Sequence, residues 1–122
     1  MRKFHDREKL YVLKNEVEVI GWGIIKRYSD REGYSLSCET AIYLRRSEMR
    51  KGYGSLMKRF LIEECRKMGY HHLVAKIFAS NQASIQYNLK LGYEIVGRQK
   101  EIGILNGDWI DVVIMQYIIP QS

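Results

Sequence analysis

A glycine-containing junction between a strand-like segment and a helix-like segment constrains the fold of this chain more than any other feature. The junction reads Arg50-Lys51-Gly52-Tyr53-Gly54-Ser55; residues 40–44 before it have strand character, and residues 55–68 after it repeat apolar side chains at helical spacing. A helix start carries backbone N–H groups without partners and about half a positive charge, and glycines let a ligand approach the backbone. The junction therefore predicts a site for a phosphate-bearing ligand, with a glycine-containing connection that binds no ligand as the alternative.

Two familiar phosphate-binding loops do not match this junction. A Walker loop needs Lys-Ser or Lys-Thr directly after its last glycine, whereas Ser55-Leu56 follows Gly54. The dinucleotide-binding fingerprint needs a third glycine at position 57, which is methionine. The sequence therefore predicts neither nucleotide hydrolysis nor a dinucleotide-binding fingerprint.

Length and composition predict a single domain, residues 1–122, with anionic partners. The 122 residues include 20 Lys and Arg against 14 Asp and Glu, a formal net charge of +6. Nucleic acid is not expected among the partners, because neither interleaved basic and aromatic residues nor a recognition-helix motif occurs. No apolar run approaches the ~20 residues that span a bilayer, and the start lacks a secretion signal, so we expect a cytoplasmic protein without a membrane partner. Cys38 and Cys65 are isolated, so no metal site or disulfide is predicted.

The residue patterns in the rest of the chain predict six strands and two helices. The predicted strands are residues 9–14, 17–26, 34–44, 73–78, 93–101 and 109–119, the first two and the last two joined by turns. The first helix carries its apolar residues at Leu56, Phe60, Leu61, Cys65 and Met68. Ser80 or Asn81 caps the second helix, which ends before Gly92. The order strand, helix, strand, helix, strand predicts parallel pairing through right-handed crossovers.

The sequence resembles a known family at three segments in this order and spacing. They are the junction itself, Ala79-Ser80-Asn81-Gln82-Ala83-Ser84-Ile85 and Lys90-Leu91-Gly92-Tyr93, and together they resemble the acetyl-CoA-binding core of the GNAT superfamily of N-acetyltransferases. Residues 39–44 and 107–112 resemble its phosphinothricin and methionine sulfoximine acetyltransferase branch. The resemblance implies an α/β (α+β) fold, with a GNAT-like mixed central sheet and a βαβαβ cofactor-binding core, and with the N-terminal helices largely missing.

The resemblance also implies an activity and a set of donor-binding residues. The activity is transfer of an acetyl group from acetyl-CoA to the primary amine of a small molecule or amino-acid derivative, by a protein that is commonly a homodimer. The backbone of Ile42, Tyr43 and Leu44 would hold the pantetheine arm. The pyrophosphate would lie on Arg50, Lys51, Gly52, Tyr53, Gly54 and Ser55. Asn81 and Lys90 would lie beside the pantetheine and nucleotide ends.

A carboxylate and two aromatic residues are the candidates on the acceptor side. Glu39 stands at the family's carboxylate position, and an amine near neutral pH must lose a proton before it attacks a thioester. Glu39 is therefore the candidate base; binding of the substrate's ammonium group or an ion pair with a nearby Lys or Arg is the alternative. Tyr34 and Trp109 are candidates for the acceptor pocket, and filling of the sheet's faces is the alternative for both.

Departures from the family pattern support a second hypothesis. Asn88 stands where many relatives place a tyrosine or histidine that can protonate the leaving thiolate, and Ile110 replaces a histidine of the phosphinothricin-type tail. Relatives also have more chain ahead of the first hairpin. A non-catalytic acyl-CoA-binding or regulatory module, with a degenerate or truncated acceptor site, is therefore the alternative to an enzyme.

Overall fold

The computed structural model describes residues 7–120 and arranges them as one mixed sheet with two α-helices. The strands are β1 (Lys9–Lys14), β2 (Val19–Arg27), β3 (Ser37–Leu44), β4 (His72–Phe78), β5 (Glu94–Leu105) and β6 (Asp108–Ile118). The helices are α1 (Tyr53–Lys67) and α2 (Gln82–Leu91), and short 3-10 turns occupy Glu32–Tyr34 and Arg46–Glu48. No helix within residues 7–120 combines the length and apolar composition needed to cross a bilayer.

The six strands lie in the order β1-β2-β3-β4-β6-β5. β3 and β4 pair in parallel across the crossover through α1, as predicted, and the other neighbours pair antiparallel. The expectation of parallel pairing fails at the second crossover, because β6 lies between β4 and β5 and pairs with both. A tight turn at Asn106-Gly107, both with positive φ, folds β6 back along β5 and so supplies the strand that pairs with β4.

Local signals place the element boundaries within a few residues of their predicted positions. β1 has the predicted bounds, and α1 begins at Tyr53, two residues earlier than expected, so that Gly54 lies inside its first turn. β3 starts at Ser37 because the preceding residues form a 3-10 turn. Asn81 is the cap of α2, since its Oδ1 accepts a hydrogen bond from the Ser84 N–H at 3.1 Å.

Both helices pack on one face of the sheet, where they bury a single core. The core includes Cys38, Met57, Leu61, Cys65, Leu73, Ala75, Ile77, Ile85 and Met115. Cys38 is thus a core residue, and strand alternation puts its neighbour Glu39 on the opposite face of the sheet. The apolar stripe predicted for α1 is wrong at two positions: Leu56 and Phe60 are exposed, and the buried positions are Met57, Lys58, Leu61 and Cys65.

The opposite face of the sheet carries no helix within the described part of the chain. Glu39 lies on this face, one register position away from the core residues Cys38 and Thr40. Exposed aromatic residues, among them Trp22 and Tyr43, accompany it. We refer below to the helix-covered face and the open face of the sheet.

Candidate functional site

A cleft opens where β3 and β4 separate. Their parallel pairing runs from Ser37 and His72 to Thr40 and Ala75 and then stops, although both strands continue. The gap forms a cleft of about 280 Å³ on the side of the helices. It is lined by Thr40, Ala41, Ile42, Tyr43, Lys58, Ala75, Lys76, Ile77, Phe78, Asn81, Ser84, Tyr87 and Asn88. Beyond Thr40 and Ala75, the backbone groups of β3 that face β4 have no strand partner in the described residues, so a ligand could pair with them.

A buried lysine lies in this cleft, next to the last paired residues of β3 and β4. Lys58 is only 3% exposed, and its ammonium donates a hydrogen bond of 2.8 Å to the Thr40 hydroxyl and lies 4.5 Å from the ring centroid of Tyr93. Burial lowers the pKa of Lys58 to about 8. No acidic residue among residues 7–120 forms an ion pair with it.

Helix α2 contributes a buried amide and a tyrosine to the cleft. Asn88 is 1% exposed, and its Nδ2 donates to the Ser84 carbonyl at 2.8 Å, while its Oδ1 has no partner among the described residues. Burial raises the pKa of Tyr87. The Asn88 amide does not titrate, and the Tyr87 phenol is a weaker acid than usual.

The start of α1 leaves amide groups available for an anion. Gly52 precedes the helix with φ 86°, no side chain caps it, and the first bond runs from the Leu56 N–H to the Gly52 carbonyl at 3.1 Å. The amides of residues 53–55 thus have no partner within residues 7–120. Arg50 also has positive φ, and Lys51 forms an ion pair with Glu48 at 3.0 Å that offsets part of its charge.

Glycine is needed at the two positions of the junction for different structural reasons. Gly52 adopts a left-handed conformation, and a Cβ there would meet only open space. At Gly54 a Cβ would lie 3.2 Å from the Tyr87 ring, so glycine lets α1 approach α2 closely. Because Tyr87 also lines the cleft, the open amides and the cleft adjoin each other. An extended ligand that carries an anionic group fits this arrangement. Its anionic group would lie at the helix start, and an uncharged arm would lie between the strands.

The structure brings some of the predicted donor residues together and leaves others apart. Ile42, Tyr43 and Asn81 line the cleft, and Leu44 ends β3 just beyond it. Lys90 lies exposed in the last turn of α2, outside the cleft lining. Sequence reasoning missed Lys58 and Thr40. The available signal was the position of Lys58, three residues before Leu61 and seven before Cys65, which puts it on the apolar face of α1.

Glu39 lies on the open face between two lysines. Its carboxylate is 3.6 Å from the Lys76 Nζ and 3.9 Å from the Lys26 Nζ, and its side chain is 18% exposed. The ion-pair alternative stated for Glu39 is thus present with two lysines, and part of the carboxylate side chain remains exposed to a third cation. Lys76 also lines the cleft between β3 and β4, so Glu39 lies near the point where the two faces communicate.

A second cleft, of about 440 Å³, occupies the open face. Tyr34 and Tyr28 stand on one side of it, with ring centroids 5.7 Å apart, and Val74, Lys76 and residues of β5 and β6 also line it. Trp109 lies elsewhere, 63% exposed at the start of β6. The structure therefore places Tyr34, but not Trp109, in this cleft.

Comparison with known proteins identifies the family. The model of the acetyltransferase (GNAT) domain matches residues 3–114. The L-methionine sulfoximine/L-methionine sulfone acetyltransferase of Pseudomonas aeruginosa strain PAO1 is 35% identical over 99 residues, which are 81% of this chain and 58% of that protein. This chain thus spans less than two thirds of the length of that relative. The predicted family is confirmed, and the relative's description matches the predicted branch.

Solved structures share the fold. The ribosomal-protein-alanine N-acetyltransferase of Brucella melitensis superposes with a TM-score of 0.83 at 33% identity, over 88% of this chain and 67% of that one. A GNAT superfamily phosphinothricin acetyltransferase of Sinorhizobium meliloti, solved in complex with AcCoA, gives a TM-score of 0.82 at 29% identity, over 88% of this chain and 58% of that one. The predicted mixed α+β fold is therefore confirmed.

Proposed function

This chain belongs to the acetyltransferase (GNAT) family, and we propose that it transfers an acetyl group from acetyl-CoA to the primary amine of a small molecule or amino-acid derivative. One observation carries the proposal: the uncapped start of α1 adjoins a cleft between two parallel strands that separate. Such a site offers amide donors to a pyrophosphate and free strand backbone to an extended amide-containing arm.

The proposed acetyl-CoA site uses residues from two connections, the one between β3 and β4 through α1 and the one between β4 and β5 through α2. We assign the pyrophosphate to residues 50–55, through the amides at the start of α1 and the positive charges of Arg50 and Lys51. The pantetheine arm would pair with the backbone of Ile42, Tyr43 and Leu44, beside Asn81. Lys90, in the exposed last turn of α2, would reach the nucleotide end. When bound, acetyl-CoA supplies the activated acetyl group, and the chain contributes position and charge rather than a nucleophile.

The acceptor side lies on the open face. Glu39 is proposed to accept the ammonium form of the substrate in competition with Lys26 and Lys76, and then to take a proton from it. Tyr34 would flank the amine in the second cleft. Trp109 stays a prediction, since it lies outside that cleft. The names of the methionine sulfoximine and phosphinothricin acetyltransferases favour an amino-acid derivative as the acceptor.

A homodimer in the cytoplasm is proposed as the working form. The β5–β6 hairpin exposes apolar side chains that a partner could cover: Ile102, Ile104, Leu105 and Trp109. Light scattering should give twice the monomer mass for the wild type, and Ile104→Lys should return it to the monomer mass. A monomeric wild type at micromolar concentration would contradict this assignment.

Two measurements test the activity. Calorimetry with acetyl-CoA should give saturable heat, and a panel of amino-acid derivatives, with methionine sulfoximine and phosphinothricin included, should release coenzyme A. Absence of heat and of thermal protection would overturn donor binding. A second candidate, the non-catalytic acyl-CoA-binding module, is favoured by Asn88, which offers no proton to a leaving thiolate. Saturable heat with acetyl-CoA, together with no release of coenzyme A in the presence of any amine of the panel, would support that module.

A further inference from the structure

Lys58 is a buried cation for which the fold supplies no anion. Burial of an ammonium group is costly unless an opposite charge compensates it, and Lys58 has a hydroxyl and an aromatic ring as its neighbours instead. A methionine or leucine would fill the same core position on α1 without that cost. An unbalanced cation that lines a substrate cleft suggests an anion that is present only during the reaction.

The reaction proposed above produces one anion inside this cleft, the thiolate of coenzyme A. The pyrophosphate is already accounted for at the start of α1, and the thioester must lie between the separating strands for an amine to reach it from the open face. Lys58 stands beside the last paired residue of β3 through its bond to Thr40. With the thioester between the strands, an ammonium group there would lie near the sulfur on which negative charge develops.

Several other titratable groups surround Lys58 and the cleft. They are Cys38 on β3, Cys65 on α1, Tyr87 on α2, Tyr93 before β5, Lys76 on β4 and the half-exposed Tyr43 on β3. The hydrogen bond with Cys65 and burial raise the pKa of Cys38, and burial raises the pKa of Tyr87 and of Tyr93, so these three groups are weaker acids than usual. Lys76 is half-exposed and pairs with Glu39. Burial lowers the pKa of Lys58 to about 8, which suits transfer of a proton to a thiolate.

We propose that Lys58 is the proton donor to the leaving sulfur, a role that rests on the proposed acetyl transfer and that Asn88 cannot fill. The neutral amine attacks the thioester carbonyl, the N–C bond forms and the C–S bond breaks with its electron pair on sulfur. The Lys58 ammonium gives that sulfur a proton, so that coenzyme A leaves as the thiol. The proton lost by the amine passes to Glu39 or water, and Lys58 regains its own from solvent.

Two substitutions separate proton transfer from charge. Lys58→Met fits the apolar surroundings and removes both, whereas Lys58→Arg keeps a cation that does not release its proton. We expect turnover to fall about a hundredfold in Lys58→Met and at least about tenfold in Lys58→Arg, while the Kd for acetyl-CoA changes less than about threefold. Wild-type turnover should decline above about pH 8, and this decline should be absent in Lys58→Met. The matched control Lys76→Met, on the rim of the same cleft, should keep that decline.

A direct titration tests the contact without turnover. The ultraviolet absorbance of the thiolate reports the thiol pKa of bound coenzyme A, which should be lower in the wild type than in Lys58→Met because the ammonium favours the thiolate. Equal thiol pKa values in both proteins, or full turnover in Lys58→Arg, would overturn the role of Lys58 while acetyl transfer stands. Failure of the wild type to bind coenzyme A would overturn the proposed function, and this role with it. If binding is intact but no amine is acetylated, the thiol titration still decides whether Lys58 faces the sulfur.

Discussion

The helix-covered face and the open face of the sheet differ in how their sites are built. On the helix-covered face, the donor cleft lies beside α1 and α2 and holds three buried polar side chains, Thr40, Lys58 and Asn88. On the open face, Glu39 and Tyr34 lie at the surface, and Glu39 is held by lysines at 3.6 and 3.9 Å. One face thus has a site built around buried polar groups, and the other has a site at the surface. This division suits a reaction with a constant donor and a variable acceptor.

The strand separation connects the two faces. Glu39 and Thr40 are consecutive on β3, so the carboxylate on one face and the Lys58 contact on the other are one residue apart. Proton removal from the amine and proton delivery to the sulfur can therefore occur on opposite sides of the same strand. We therefore expect a substitution on one face to impair the role of that face and to leave the role of the other face unchanged.

The largest effect is expected at the helix start. Gly52→Asp places a carboxylate where it can cap the free amides of α1, and it repels a pyrophosphate. Loss of two charge-assisted hydrogen bonds, at about 1.5–3 kcal/mol each, should weaken acetyl-CoA binding about a thousandfold. Calorimetry measures this loss. The matched control is Gly107→Asp, because Gly107 has φ 83° and open space around its Cα, like Gly52, but lies in the hairpin turn. Equal losses in both variants would show that backbone strain, and not the anion site, is responsible.

The next effect belongs to the open face. Glu39→Gln should lower turnover roughly a hundredfold by removing the base, while acetyl-CoA binds as before. Steady-state kinetics beside calorimetry measure both quantities, and Glu94→Gln, an exposed change on β5, is the control. A rise in the amine KM alone would mean that Glu39 binds the ammonium group without taking its proton. Unchanged turnover would remove Glu39 from the reaction.

The contrast between the faces also explains what could be predicted from the sequence. The donor side depends on local signals, namely the glycine junction and the Asn81 cap, and the structure places both where the pattern predicts. The insertion of β6 between β4 and β5 could not be predicted, since strand pairing is non-local and several orders satisfy the same segments. The second cleft combines the segment between β2 and β3 with residues of β3, β4, β5 and β6, and no short segment encodes it.

Lys58 was missed for a different reason. The apolar residues Leu56 and Phe60 suggested a stripe that is rotated from the real one, and this placed Lys58 outside the predicted core. Tertiary packing against β2 and β3 selected Met57, Lys58, Leu61 and Cys65 instead. A lysine in the buried stripe conflicts with local hydrophobic patterning, and such conflicts concentrate at functional sites.

The pH dependence of folding stability tests the buried charge of Lys58 on the helix-covered face. The pKa of Lys58 falls from the ordinary lysine value of about 10.4 to about 8, so the unfolded chain holds more protons between those values. The free energy of unfolding should therefore rise as the pH increases from about 8 to about 10. Lys58→Met should remove this rise and stabilise the protein at pH 7 by on the order of 3 kcal/mol, less the cost of the unpaired Thr40 hydroxyl. Urea denaturation at several pH values measures both effects.

The control for this measurement is Lys76→Met, because Lys76 lies half-exposed on the open face. Its unfolding free energy should keep the wild-type dependence on pH in that range. A variant that is more stable and less active than the wild type at position 58 alone would mark Lys58 as a residue kept for function at a cost in stability. A destabilised Lys58→Met protein would instead mean that its bonds to Thr40 and Tyr93 outweigh the burial of charge.

The smallest effect is expected from the aromatic residues of the acceptor side. Tyr34 is about half-exposed and lines the second cleft, so Tyr34→Ala should raise the amine KM about threefold, less than 1 kcal/mol, with turnover unchanged. Trp109→Ala should leave the KM within about twofold, because Trp109 lies away from that cleft. Steady-state kinetics with the best amine of the panel measure both, and light scattering shows whether either variant alters assembly. Trp109→Ala could instead raise the KM more than about twofold in the dimer but not in a monomeric variant. That result would show that a partner subunit completes the open face and that the acceptor site is shared between two chains.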